Sequence, residues 1–235
     1  SPTAPHAVDV SSTTVFVPDN NTELLTIGSG ASIELWVKPN ALSGTSYLLE
    51  KDGRSGTLNG FLPVNNFLEI YTEDDSLAID IKDSNGVDFN HKIDISASVS
   101  LNEWSHVAFV FDRVLDSLYI YIDGAVVSSE DIASIDDINN SNHFYIGSNS
   151  VVGSLGLNRF DGQLDEFRFW SKVLTASEIE SNIHTQFDST TANLEGYYQF
   201  DQGSGLVVYD YTSNHRNGSL TSTAAWVNIS PASAS

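Results

Sequence analysis

Apolar and polar residues alternate with a period of two through most of the chain, in runs such as Ile33-Glu34-Leu35-Trp36-Val37-Lys38, Phe67-Leu68-Glu69-Ile70-Tyr71 and Leu77-Ala78-Ile79-Asp80-Ile81-Lys82. Val107-Ala108-Phe109-Val110-Phe111 and Leu118-Tyr119-Ile120-Tyr121-Ile122 continue the series, followed by shorter runs at 144–146, 167–170, 197–200 and 206–209. Successive side chains of a strand point to opposite faces. Ile33, Leu35, Val37, Leu68, Ile70, Val107, Phe109, Phe111, Leu118, Ile120 and Ile122 are therefore expected in a core. The opposite faces then carry Glu34, Trp36, Lys38, Phe67, Glu69, Tyr71, His106, Tyr119, Tyr121, Glu166, Arg168 and Trp170.

The runs are separated by Asp52-Gly53, Asn85-Gly86, Asp123-Gly124, Asp161-Gly162 and Asn217-Gly218. Such dipeptides supply the positive φ angles of tight hairpins, so neighbouring strands are expected to be antiparallel. Many short strands at regular spacing predict an all-β sandwich or barrel. One segment departs from the pattern. Thr175 with Glu178 three residues on forms a capping box, and Leu174, Ile179 and Ile183 share a helical face, which predicts one short helix over 175–183. Neither an internal repeat nor a mid-chain linker interrupts the strands, so residues 7–229 read as one domain between Ser/Pro/Ala-rich stubs at 1–6 and 230–235.

Composition narrows the partners. Ten Lys and Arg against 31 Asp and Glu give a formal net charge of −21, a field that repels nucleic acid and anionic membranes. Without Cys there is no disulfide framework, thiolate metal site or thiol nucleophile. No apolar run approaches a membrane span, so membrane insertion is not expected. A module of a larger secreted or cell-surface protein fits these features. Asn20, Asn139, Asn217 and Asn228 head glycosylation sequons, relevant only in a eukaryotic secretory pathway.

Five stretches in order resemble bacterial laminin-G-like domains: Ser32-Ile33-Glu34-Leu35-Trp36-Val37-Lys38-Pro39, Trp104-Ser105-His106-Val107-Ala108, Leu118-Tyr119-Ile120-Tyr121-Ile122-Asp123-Gly124, Phe160-Asp161-Gly162-Gln163-Leu164-Asp165-Glu166-Phe167, and Tyr198-Gln199-Phe200-Asp201-Gln202-Gly203 with Asp210 and Trp226. The resemblance implies a concanavalin A-like, pentraxin-like jelly roll: an all-β sandwich of two antiparallel sheets. In related glucanases a structural calcium is held by an Asp in the strand that Asp165 matches. Asp9, matching an early family Asp, and Asp19 are further candidate ligands. A pentraxin-type second calcium is not expected, since Ser148-Asn149-Ser150 stands where that family has carboxylates.

A fold of this kind does not dictate function. The E-x-D-x-x-E array of its glucanases is absent: Glu50-Lys51-Asp52 and Glu73-Asp74-Asp75 both lack the second Glu. No nucleophile elbow, zinc motif or phosphate loop is present. Binding is therefore expected rather than catalysis. The candidate ligand residues are Trp36, Tyr71, Tyr119 and Tyr121 as an aromatic floor, with Lys51, Asp52 and Arg54 at a rim loop. The leading reading is a carbohydrate-binding, lectin-like accessory module that holds a polysaccharide or cell-surface glycan. A protein-adhesion or spacer module is the alternative, and a polysaccharide-degrading enzyme comes third.

Overall fold

The computed structural model describes residues 2, 5–18, 26–51, 66–138, 140, 143–149, 158–222 and 225–229. Its elements are β1 (His6–Asp9), β2 (Val15–Val17), β3 (Ala31–Pro39), β4 (Thr45–Lys51), β5 (Phe67–Glu73) and β6 (Ser76–Lys82). Next come β7 (Asp88–Asp94), β8 (Ser105–Asp112), β9 (Ser117–Ile122), β10 (Ala125–Asp131), β11 (Phe144–Ile146) and β12 (Gly162–Trp170). Helix α1 (Ala176–Asn182) precedes β13 (Leu194–Tyr198), β14 (Val207–Val208), β15 (Gly218–Leu220) and β16 (Trp226–Asn228). The first strand opens at His6, inside the stretch read from sequence as a stub.

The strands form two eight-stranded antiparallel sheets. The first runs β10-β9-β8-β3-β12-β1-β16, with β13 also paired to β12; the second runs β14-β15-β2-β11-β4-β5-β6-β7. Between them lies one apolar layer that contains every residue assigned to the core from the alternation, among them Leu35, Phe109 and Ile120 at 2%, 0% and 0% exposure. Each such side chain contributes about 1.5–3 kcal/mol by leaving water. This layer is what fixes the register, because a slip of one residue would turn a whole strand's apolar set outward.

The expected hairpin dipeptides divide. Asp123 and Gly124 both have positive φ (49° and 81°) at the β9–β10 turn, and Gly86 (φ 84°) lies in the β6–β7 turn. Asp161-Gly162 and Asn217-Gly218 are not hairpin tips. Gly162 instead starts β12 hard against β3, where an added Cβ would lie 2.4 Å from the Lys38 carbonyl oxygen. Asp52-Gly53 falls outside the described residues. The β5–β6 turn is made by Asp74 and Asp75, both at positive φ, a conformation that Asp tolerates better than most residues.

Helix α1 begins as its sequence predicts. The Thr175 hydroxyl accepts the Glu178 N–H, and the Glu178 carboxylate accepts the Thr175 N–H at 2.9 Å. Ile179 and Leu174 pack on the outer face of the first sheet with Ala108, Val110, Tyr121, Trp170, Leu194 and Tyr197, forming a second, smaller apolar cluster. One sheet is thus roofed by the helix.

Candidate functional site

Beneath that roof lies a buried polar network. Arg168, 1% exposed, donates to the Asn182 and Thr185 carbonyls (2.8 and 2.9 Å) and to Glu166 Oε2 at 2.7 Å. Tyr197 donates to the same Glu166 oxygen at 2.6 Å. Glu34 Oε2 accepts from the Trp170 indole (2.7 Å) and the Asn182 amide (3.1 Å). Burial pushes the Glu34 carboxyl up, against the pull of Arg168. His106 Nε2 approaches Glu34 Oε1 to 3.7 Å, but burial, reinforced by Arg168 and His184, lowers the His106 pKa to about 3. The imidazole is therefore neutral at ordinary pH and the contact is not an ion pair.

This roof corrects the expected aromatic floor. Trp36 is 4% exposed: its indole N–H donates to the Ile183 carbonyl at 3.2 Å, and its ring lies against His106 and His184. No ring face is left for a ligand. Tyr121 is 6% exposed within the helix-packed cluster, and Tyr119 is partly buried beside it. Tyr71 lies on the other sheet altogether. Trp36, Tyr119 and Tyr121 are therefore on one outer face of the sandwich and Tyr71 on the opposite one.

The outer face of the second sheet gathers a different set. Registers across it align Val207, Ser219, Phe16, Tyr145, Glu50, Glu69, Asp80 and Asn90 in a single row spanning all eight strands. In the adjacent row Tyr47 opposes Tyr71, their ring centroids 5.2 Å apart and their planes inclined by 30°. Both rings are half-buried. The Tyr71 hydroxyl donates to Asp80 Oδ2 at 3.1 Å; burial, together with the Asp80 and Glu73 carboxylates, pushes its pKa up to about 12. Glu73 in turn is held by Lys92 and Thr45.

Tyr47 was not legible as a site residue. Simple alternation would put it on the same face as Leu49, but a register shift between Tyr47 and Leu49 adds Leu48 to the strand and turns Tyr47 outward. Of the expected rim residues, Lys51 is fully buried at an inward register between Phe144 and Leu68, because β4 continues through it. Asp52 and Arg54 lie outside the described residues.

Of the proposed calcium ligands, Asp9 lies opposite Gln163 on the strand next to Asp165, on the same face of the sheet. Asp165 is 0% exposed beside a bulge in β12; its Oδ1 accepts the Glu166 N–H at 3.0 Å, and its Oδ2 has no hydrogen-bond partner among the described residues. Burial first, then Glu166 and Asp201, raises its pKa well above the usual carboxylate range. Asp9 instead closes a turn, accepting from the Ser11 N–H and hydroxyl. Asp19 is outside the described residues. Among the described residues no three His, Asp or Glu side chains converge as metal ligands, so these residues do not by themselves supply the oxygen cage that calcium takes.

Two sheets with this strand order, one roofed by a short helix, invite comparison with lectins. A family profile described as concanavalin A-like lectin/glucanases superfamily matches residues 9–180. The chain belongs to this superfamily. As a concanavalin A-like domain it is 31% identical over 163 residues to the non-toxic nonhemagglutinin type A of Clostridium botulinum, covering 69% of the chain but only 13% of that relative. It also superposes on a candidate carbohydrate-binding protein from Bacteroides ovatus with a TM-score of 0.70 at 21% identity, covering 97% of this chain and 61% of the other. A Ruminococcus gnavus sialidase CBM40 bound to α2,3-sialyllactose superposes with a TM-score of 0.57 at 14% identity, covering 75% and 96%. At such identities the structural likeness speaks for the concanavalin A-like fold alone.

Proposed function

We propose that this chain is a carbohydrate-binding module acting outside the cell, as part of a larger protein, and that it holds a polysaccharide or cell-surface glycan at the Tyr47–Tyr71 pair. The observation that carries the reading is the pair itself: two half-buried tyrosine rings side by side on the sheet that α1 does not cover, with the Asp80 carboxylate bonded to one of them. Tyrosine offers a sugar an apolar face for its C–H groups, and neighbouring carboxylates accept from its hydroxyls. Membership of a lectin superfamily and the likeness to carbohydrate-binding folds support this reading. Catalysis is not proposed, because Glu50 and Glu69 are opposed on neighbouring strands and 1% and 4% exposed rather than set across an open groove.

The test is a glycan-array screen of the wild type beside Tyr47→Ala and Tyr71→Ala. Saturable binding lost in both variants is expected, with thermal midpoints within a few degrees of wild type. Retention in both variants would remove the glycan from this face.

One observation favours a protein-adhesion role as a second reading. Val207, Tyr209 and Tyr211 are 44%, 50% and 38% exposed, while the intervening Val208 and Asp210 are buried. Asp210 pins this inside-out strap by accepting from the Tyr197, Thr212 and Arg216 N–H groups. A fixed, exposed apolar stripe of this kind is suited to a partner surface.

A further inference from the structure

Arg159 stands apart from most of the described cations of this acidic chain. Lys82, Lys92, Arg113, Arg168, Lys172 and Arg216 each sit within ion-pair distance of a carboxylate. Among the described residues Arg159 makes no ion pair, and its buried Nε has no hydrogen-bond partner. With 31 acidic residues available against ten basic ones, an unpaired guanidinium is conspicuous.

Its position gives it a use. Arg159 bridges Tyr47 on one side and Ser148 on the other, and the Tyr47 N–H donates to the carbonyl of the preceding Asn158 at 3.4 Å. The next residue, Phe160, is 1% exposed and points into the core, so Arg159 is set toward the outer face, the side of Tyr47. Across this face the order is Arg159, Tyr47, Tyr71, with Asp80 bonded to the Tyr71 hydroxyl.

We propose that Arg159 is the specificity-determining residue of this face, supplying donors at one end of the tyrosine platform while Asp80 supplies acceptors at the other, so that the site selects neutral, hydroxyl-bearing sugars over charged ones. The inference rests on the carbohydrate-binding reading and extends it to the ligand's chemistry. A guanidinium only donates hydrogen bonds and an ionised carboxylate only accepts them, whereas a hydroxyl does both. A neutral sugar therefore satisfies both ends at once. A uronate or sialyl carboxylate would suit Arg159 but meet the Asp80 carboxylate with like charge. An amino sugar would suit Asp80 and be repelled by Arg159.

The test is calorimetric titration with three probe sets: neutral arabino-, gluco- and galacto-oligosaccharides, sialyllactose, and chitosan oligosaccharides. They are titrated into wild type, Arg159→Ala, Arg159→Lys and Tyr71→Ala. At least one neutral probe is expected to bind more tightly than either charged class. Arg159→Ala should weaken that probe by about tenfold or more, the size expected for lost hydrogen bonds to a charged group. Arg159→Lys should recover part of the loss, with thermal midpoints unchanged throughout. Unaltered neutral affinity in Arg159→Ala, with binding lost in Tyr71→Ala, overturns the role of Arg159 and leaves the platform in place. Tighter binding of sialyllactose or chitosan overturns the selectivity in the same way. Failure of every probe removes the glycan reading itself, and this inference with it.

Discussion

Tyr71 donates its phenolic proton to Asp80 on the neighbouring strand, with 3.1 Å between the oxygens. The bond fixes one ring of the candidate platform and uses one of the two Asp80 oxygens. Burial, Asp80 and Glu73 together hold the Tyr71 hydroxyl at about 12 instead of its ordinary 10. Asp80→Ala is expected to move the ionisation of Tyr71 part of the way back down, read as tyrosinate absorbance in a spectrophotometric pH titration against Tyr71→Phe. An unmoved titration would show that the hydrogen bond does not hold the ring.

The network under α1 should behave as a unit. Arg168 is the buried cation among Glu34 and Glu166, so Arg168→Met leaves two carboxylates in a dry site without their counter-charge. Breaking such a pair from one side costs about 3–5 kcal/mol. Denaturant titration is expected to show that loss, and Arg168→Met combined with Glu166→Gln should cost less than the sum of the two single changes. Strict additivity would argue against a coupled network.

His106 gives the protein a defined acid sensitivity. Its folded pKa is about 3 against 6.5 when unfolded, so between these values the unfolded chain binds a proton that the folded chain refuses. Stability is thus lost as pH falls from 6.5 towards 3, by at most about 1.4 kcal/mol per pH unit. Glu34, whose folded pKa is raised, works in the opposite direction above 4.5. In His106→Gln the decline in stability below pH 6.5 is expected to be shallower than in wild type; equal slopes would mean that His106 is protonated in the fold.

The capping box of α1 is a local test. Thr175→Ala removes the hydroxyl that accepts the Glu178 N–H and should cost about 1 kcal/mol in denaturant titration. Because Leu174 and Ile179 still hold the helix to the sheet, the fold should survive. A change of several kcal/mol would mean that the cap positions more than one helical turn.

Asp165 separates two accounts of a buried acid. Its carboxyl is held well above the usual range, so at neutral pH the folded state bears a cost that the unfolded state does not. Asp165→Asn is expected to raise the thermal midpoint at pH 7 and to leave it unaffected by calcium or chelator. A midpoint that rises with calcium in wild type, and no longer does so in the variant, would instead place a cation at this carboxylate.

Much of the architecture could be read before any coordinates. The alternation in β3, β8 and β9 assigned Leu35, Phe109 and Ile120 to the interior, since a strand with one buried face has only one register that hides its apolar set. Thr175 and Glu178 announced the helix because a cap is a local bond between residues three apart. The edge strand β7 was not among the strands read from the sequence, because only Phe89 and Ile93 pack against the core between polar neighbours.

The candidate site was less legible. Tyr71 was visible as an outward ring, but its partner Tyr47 is turned outward by a bulge, and Arg159 meets it by an isolated bridge from 112 residues further along the chain. Trp36 and Tyr121 carry the same outward signal as Tyr71, yet α1 covers them.

The sequence by itself determined the two-sided strands, the single core, the helix start and the family, because each depends on neighbours a few residues apart or on their order. Only the tertiary structure decided which outward side chains α1 covers and which meet one another on the other sheet. A two-residue period records that a side chain leaves the core, and carries no record of what lies above it.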